Sequence, residues 1–241
     1  MTAFDVIERF PAAMADRAGA WDFIRGFAAT WRSPLTEDDG WPEADLDAAE
    51  ARLGLRLPAA LREAYLLFGR RTDLTSLQDV LFGPAHLAVE DQALMFRAEN
   101  QSAAFWGIPI TELDRPDPPV VIRTGMADKA AESWEGWLDR FSHACVEIVL
   151  SESLFSSEDL GDNREFDEDE AATLERRFTR LPLPEYPMFQ TSVSGIRWFA
   201  GPDLIIRDDA RTWIWVRART ADALARIRAE PPGEWMMDDS Y

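Results

Sequence analysis

The apolar positions of residues 41–69, WPEADLDAAEARLGLRLPAALREAYLLFG, fall into two helical stripes separated by a hinge. Leu46, Ala49, Glu50 and Leu53 recur at helical spacing, and Gly54 stands where a left-handed C-terminal cap belongs. Leu57-Pro58 restarts the chain, because proline lacks an amide hydrogen and its preset φ suits a first helical turn. Leu61, Ala64, Tyr65 and Phe68 then share one face, closed by Gly69. The pattern predicts a hinged helix pair with its apolar side laid on a flat surface.

Residues 2–32 read as helical, with Trp21, Ile24, Ala28 and Trp31 on one buried stripe and Phe4, Ile7 and Phe10 in a shorter helix ended by Pro11. Two tryptophans on that stripe favour a packed helical layer over a free partner-binding arm. Residues 33–40, SPLTEDDG, form a polar linker. After Gly69 the period shortens. Strands are predicted over 87–89 and 93–96 around a Glu90-Asp91-Gln92 turn, then over 103–108 and 120–123, joined as a meander. Residues 134–141 are predicted as a short helix and 143–150 as a strand or buried segment. Residues 147–170 carry ten acidic residues against one basic residue, Arg164, and are expected to form no core. A short helix is expected over 171–180. IRWFA, LIIR and TWIWVRA, separated by Gly201-Pro202 and Asp208-Asp209, predict a three-stranded meander followed by a helix with Thr220 as its N-cap.

The order of these features carries a resemblance. Trp41, an acidic helix with Glu50, then Leu53-Gly54, Leu57-Pro58 and a helix ending Leu67-Phe68-Gly69 resemble the opening signature of the SUKH superfamily. That superfamily includes bacterial toxin-immunity proteins and Smi/Knr-type regulators of fungal cell-wall synthesis. ENQSAAFWGIPITEL (99–113), with Glu99, Trp106 and Gly107, and DPPVVI (117–122) are similar to the central sheet of its bacterial members. The likeness covers residues 40–155. It implies an α+β fold, a mixed and mostly antiparallel sheet covered by helices. Residues 1–34 would be a helical extension and 156–241 a β-meander plus helix, all within one domain spanning 1–241. It makes Glu50, Leu53, Gly54, Leu57 and Pro58 fold-defining, Trp106-Gly107 a strand element, and none of them catalytic.

Charge changes the picture most. With 44 acidic against 25 basic side chains the net charge is −19, a field that repels nucleic acid and anionic membrane and attracts basic proteins. The single cysteine, Cys145, excludes an internal disulfide, and residues 1–21 lack the basic start and apolar run of an export signal. Both features point to the cytoplasm.

Candidate chemistry is sparse. His86 reads as a solvated turn residue, and Cys145, two residues after His143 in an apolar run, as a core thiol. CxxC, HExxH, GxGxxG and GK[ST] are absent, so neither a metal nor a cofactor is expected. Residues 159–170 match a calcium loop in length only, with Gly161 at a ligand position and Arg164 where glycine is required. Glu99, beside Asn100 and Gln101, could line a groove, but bonding of the backbone at a bend is the favoured reading.

The expectation is a cytosolic immunity protein, not an enzyme, that neutralises a basic toxin, such as a nuclease, by binding it. The candidate contacts are Glu37, Asp38 and Asp39 and Glu165, Asp167, Glu168, Asp169 and Glu170. The alternative is a regulatory scaffold for endogenous partners. An enzyme acting on a small substrate ranks third, and would require a pocket with convergent polar groups.

Overall fold

Gly54 ends the first helix of the hinged pair with φ +68°, the left-handed conformation that glycine adopts without a Cβ clash. That helix is α3, Glu43–Leu53, and the second, α4, is Ala59–Phe68 with Pro58 immediately before it. Leu46 and Ala49 of α3 and Leu61, Ala64, Tyr65 and Phe68 of α4 are buried. Glu50 shapes the hinge: its carboxylate accepts the Leu57 amide at 2.8 Å and pairs with Arg62 at 3.3 Å. Trp41 fastens the far end of α4, where its amide donates to the Tyr65 carbonyl and its indole N–H to the Gly69 carbonyl.

The computed structural model describes residues 4–125, 129, 132–156, 159–187, 195–229 and 233–237, apart from the side chains of 168 and 169. Among these residues there are eight α-helices and two sheets, of six and five strands, all pairings antiparallel. The expected α+β class with a mostly antiparallel sheet is what the chain forms. The chain divides into two compact units. The larger is Ala12–Glu152, and the smaller comprises Met1–Pro11 and Ser153–Tyr241.

In the larger unit, α2 (Arg17–Trp31) packs on α4 through Trp21, which lies 6.4 Å from Phe68 and donates its indole N–H to Glu63. The strands are β1 (Val80–Leu81), β2 (Ala88–Glu90), β3 (Ala93–Ala98), β4 (Ala104–Pro109), β5 (Val120–Thr124) and β6 (Glu135–Leu138). They run in the order β1-β3-β4-β5-β6, with β2 also paired to β3. Asp91 and Gln92, both at positive φ, turn β2 into β3. Gly107 on β4 is needed for close packing, since a Cβ there would lie 3.0 Å from Ala93 and 3.2 Å from Trp134. One prediction for this unit fails and another holds in part. The segment expected as a helix holds strand β6, and the one expected as a strand or buried segment is buried but helical, α6, Phe141–Ser153. Every residue of α6 is buried, so its polar stripe, His143, Glu147 and Ser151 at i, i+4 and i+8, faces protein and not solvent and does not read as the solvated side of an amphipathic helix. Short helix α5, Thr72–Thr75, precedes β1.

A bulge in β3 decides which of its side chains reach α6. The register with β4 shifts between Met95 and Arg97. Two consecutive residues, Phe96 and Arg97, can therefore both contact that helix. Phe96 meets Phe141 edge-on at 5.0 Å, and Arg97 meets Glu147 and Glu152.

In the smaller unit the sheet order is β7-β11-β10-β9-β8. Its strands are β7 (Gly161–Glu165), β8 (Thr179–Arg180), β9 (Ile196–Gly201), β10 (Leu204–Asp209) and β11 (Trp213–Ala218). Helices α7 (Glu168–Arg177) and α8 (Ala221–Ala229) cover one face. There Phe199, Leu204, Ile206, Ile214 and Val216 pack with Leu174, Leu224 and Ile227. The predicted meander and its Thr220 cap are present, the Thr220 hydroxyl accepting the Ala223 amide at 3.1 Å. Asp208 and Asp209 are not its turn: both lie in β10, opposite Ile214 and Trp213, and the reversal falls at 210–212. The acidic stretch does enter a core, because β7 alternates and turns Asp162, Arg164 and the adjoining Phe166 inward. Helix α1, Val6–Ala15, runs through Pro11 instead of ending there, and the division between units falls after that proline.

Candidate functional site

The two acidic runs belong to different units and use their carboxylates differently. Glu37–Asp39 is a single 3-10 turn in the larger unit. Asp39 is bound within the fold, accepting the Thr36 amide at 2.6 Å and pairing with Arg71 at 3.2 Å. Burial pushes its carboxyl up, but the Thr36 amide and Arg71 outweigh that and hold it below the usual range. Arg71 is buried, forks onto Asp73 at 2.7 and 2.8 Å and also reaches the Ser33 carbonyl. One guanidinium thus clips the 33–39 segment to α5, while Glu37 and Asp38 remain exposed on a fixed turn.

In the second run, Asp167 and Glu170 form a capping box at the start of α7, each accepting the other's amide at 3.0–3.1 Å. Glu170 also pairs with Arg164 at 2.7 Å. Glu165 is exposed at the end of β7, and the side chains of Glu168 and Asp169 lie outside the described residues. Of the proposed contacts, Glu37, Asp38 and Glu165 are turned to solvent, whereas Asp39, Asp167 and Glu170 hold local structure.

The signature residues are structural. Glu99 accepts the Gln101 and Ala103 amides at 2.8 and 3.0 Å in the β3–β4 turn, the bend role favoured from the sequence. Trp106 is buried, 5.7 Å from Trp137 and 4.7 Å beneath the Arg97 guanidinium. Leu53 is half-buried at the end of α3, while Leu57 and Pro58 are buried. An open concavity of about 630 Å³ is lined by Asp47, Glu50, Ala51, Gly54, Leu55 and Arg56. Beside it, Glu43, Asp47 and Glu50, at i, i+4 and i+7 of α3, all pair with Arg62.

Sequence reading missed a buried charge cluster in the larger unit. Arg97 faces three carboxylates: Glu152 at 2.6 Å, Asp79 at 3.1 Å and Glu147 at 3.6 Å. Side-chain exposures are 2% for Arg97, 1% for Glu152, 4% for Glu147 and 12% for Asp79, so water screens little of this charge. Glu152 also accepts three successive amides, Leu77 and Gln78 at 2.6 Å and Asp79 at 3.2 Å. Burial raises the Asp79 carboxyl to about 6; Arg97 opposes the shift, while Glu152, Glu147 and Glu99 reinforce it. The signal was legible in principle. A charged residue inside an apolar run, as in ALMFRA or ACVEIVLSES, must find a buried partner.

The one thiol, the His143 imidazole and the Tyr65 phenol are buried in the larger unit. Burial keeps Cys145 as the thiol, well above its usual pKa, and lowers that of His143, whose Nε2 lies 3.2 Å from the Met14 carbonyl. Tyr65 donates to the Phe82 carbonyl at 2.6 Å. Among the described residues no group of three His, Cys, Asp or Glu side chains could hold a metal ion, and no helix is long and apolar enough to cross a membrane. Compared with protein-family models, curated proteins and solved structures, the chain matches none.

Proposed function

We propose that the chain is a cytoplasmic immunity protein of the SUKH kind, which neutralises a basic toxin by binding it and transforms no substrate. The observation that carries this reading is that each unit is acidic by itself. The larger has 24 acidic against 13 basic side chains, a net −11, and the smaller 20 against 12, a net −8. A field of that sign favours cationic proteins over nucleic acid, and steering of this kind raises association rates by roughly 10- to 1000-fold at low salt. The clipped turn bearing Glu37 and Asp38 supports the reading as well, since carboxylates already fixed in place lose little entropy on docking.

The test is co-expression with a basic toxin, sought first among the genes adjacent to this one. Restored growth and a complex whose association slows steeply with added salt are expected. Capture of endogenous proteins with a deletion phenotype, but without protection, would replace this reading with the regulatory scaffold. Turnover of a small molecule by the purified chain would replace both.

A further inference from the structure

We propose that Asp79, Arg97, Glu147 and Glu152 form a proton-operated latch: protonation of Asp79 fastens segment 77–81 to α6 and β3, and its ionisation releases the segment. The inference is independent of the function proposed above and rests on how the segment is held. Little apolar burial secures it, since Leu77 is 41% and Val80 48% exposed. Strand β1 contributes only two ladder positions, Val80 opposite Ala98 and Leu81 opposite Arg97. The main anchor is Glu152, whose carboxylate receives the three successive amides of Leu77, Gln78 and Asp79.

That anchor depends on Arg97, and Asp79 competes for it. Asp79 and Glu152 approach the same guanidinium nitrogen, Nη2, at 3.1 and 2.6 Å, while Glu147 takes Nη1. With all three acids ionised, the site holds a net charge of −2 almost out of reach of water, so one proton is strongly favoured. Both oxygens of Glu152 are already engaged, by three amides and by Arg97. Glu147 receives the Ser151 hydroxyl at 2.7 Å. Asp79 is the outermost of the three and belongs to the segment itself, so the proton falls to it. The charged groups acting on Asp79 are Arg97 from β3, Glu147 and Glu152 from α6 and Glu99 from the β3–β4 turn. Burial lifts its titration towards neutrality against the pull of Arg97, and the three acids, which repel its carboxylate, add to the shift.

Amide hydrogen exchange on the whole chain tests the latch, with rates corrected for intrinsic pH dependence and compared with the Trp106 amide in β4. Between pH 5 and pH 7.5 the relative protection of Leu77, Gln78 and Asp79 should fall by about tenfold or more. Asp79→Asn, a neutral stand-in for the protonated acid, should hold protection high and flat across the range. Carboxyl-carbon NMR on the unaltered chain should show Asp79 titrating near neutrality, with no variant required. A flat wild-type profile, an Asp79 titration in the ordinary carboxylate range, or a slope abolished by Glu147→Gln instead would each overturn the proposal.

Discussion

Both units bury an arginine against acidic partners, but they dispose of the excess negative charge differently. In the smaller unit Arg197 stands directly across the strand pair from Asp208, bonding it through Nε at 2.7 Å, and Asp208 also receives the Arg211 amide. The second acid on Arg197, Glu175, is 52% exposed, so its charge is hydrated. In the larger unit all three acids around Arg97 are at most 12% exposed. Burial raises both Asp208 and Asp79, yet Arg197 and Arg211 pull Asp208 back, whereas neighbouring carboxylates push Asp79 further up. A buried cation facing one buried anion is a structural pair. A buried cation facing three is a site with a proton to place. The sharpest way to break this comparison is to delete each cation. Arg97→Met should cost the larger unit about 3–5 kcal/mol, since it strands three carboxylates. Arg197→Met should cost less, about 2–3 kcal/mol, because one of its acids already lies in water. Hydrogen exchange resolved by unit measures both, and equal losses would erase the distinction.

The next effect has the opposite sign. A carboxyl whose folded pKa is raised from 3.8 to about 6 destabilises the fold once ionised. That cost is absent below about pH 4, grows between pH 4 and 6 and is complete above. Asp79→Asn should therefore stabilise the larger unit by about 1–2 kcal/mol at pH 7.5, a figure discounted because Asp79 borders on water, and have little effect at pH 4. Thermal melts at the two pH values check the difference, and a variant less stable at pH 7.5 would show that the site is a structural pair after all.

The same contrast between local and long-range forces governs what could be read from the chain. The α3–α4 hinge was legible because Gly54 and Pro58 act through local backbone geometry. The β9–β10–β11 meander was legible because its strands are short runs rich in aromatic and β-branched residues, set apart by Pro202-Asp203 and by the polar run 207–212. Where long-range pairing governs, local rules misled. Asp208-Asp209 looks like a turn, but Arg197 draws Asp208 into the sheet. Helix α6, buried on every side, reads as a strand or buried segment. The β3 bulge that delivers Arg97 to α6 has no local signature, so the acids of the cluster appear in sequence as isolated charges within apolar runs.

Caps extend the comparison at lower energy. Glu50 has a carboxylate only 10% exposed and carries the Leu57 amide at the hinge, whereas Asp167 caps α7 at the surface. Glu50→Ala should cost about 1–3 kcal/mol, because it leaves a part-buried amide unpaired, with Glu50→Gln recovering most of the loss. Asp167→Ala should cost about 1 kcal/mol, with Glu170 still tied to Arg164. Chemical denaturation ranks the two, and a larger loss at Asp167 would contradict the role of burial.

The smallest stability effect should accompany a change in recognition. Glu37 and Asp38 are exposed and stand on a turn whose geometry is set by Asp39 and Arg71, so the fold does not depend on their charges. Glu37→Gln combined with Asp38→Asn should leave stability within about 0.5 kcal/mol. If the turn meets a cationic partner, the same pair should slow association a few-fold at low salt and leave it nearly unchanged at high salt, where screening already hides the charges. Asp39→Asn, which removes a charge from the same turn, should instead loosen the clip and lower stability. Stopped-flow association with the toxin at two salt concentrations, set beside melts of both variants, separates carboxylates that face a partner from those that hold the chain. If the double substitution destabilises the fold as much as Asp39→Asn does, Glu37 and Asp38 belong with the structural acids, and the docking surface must be sought elsewhere.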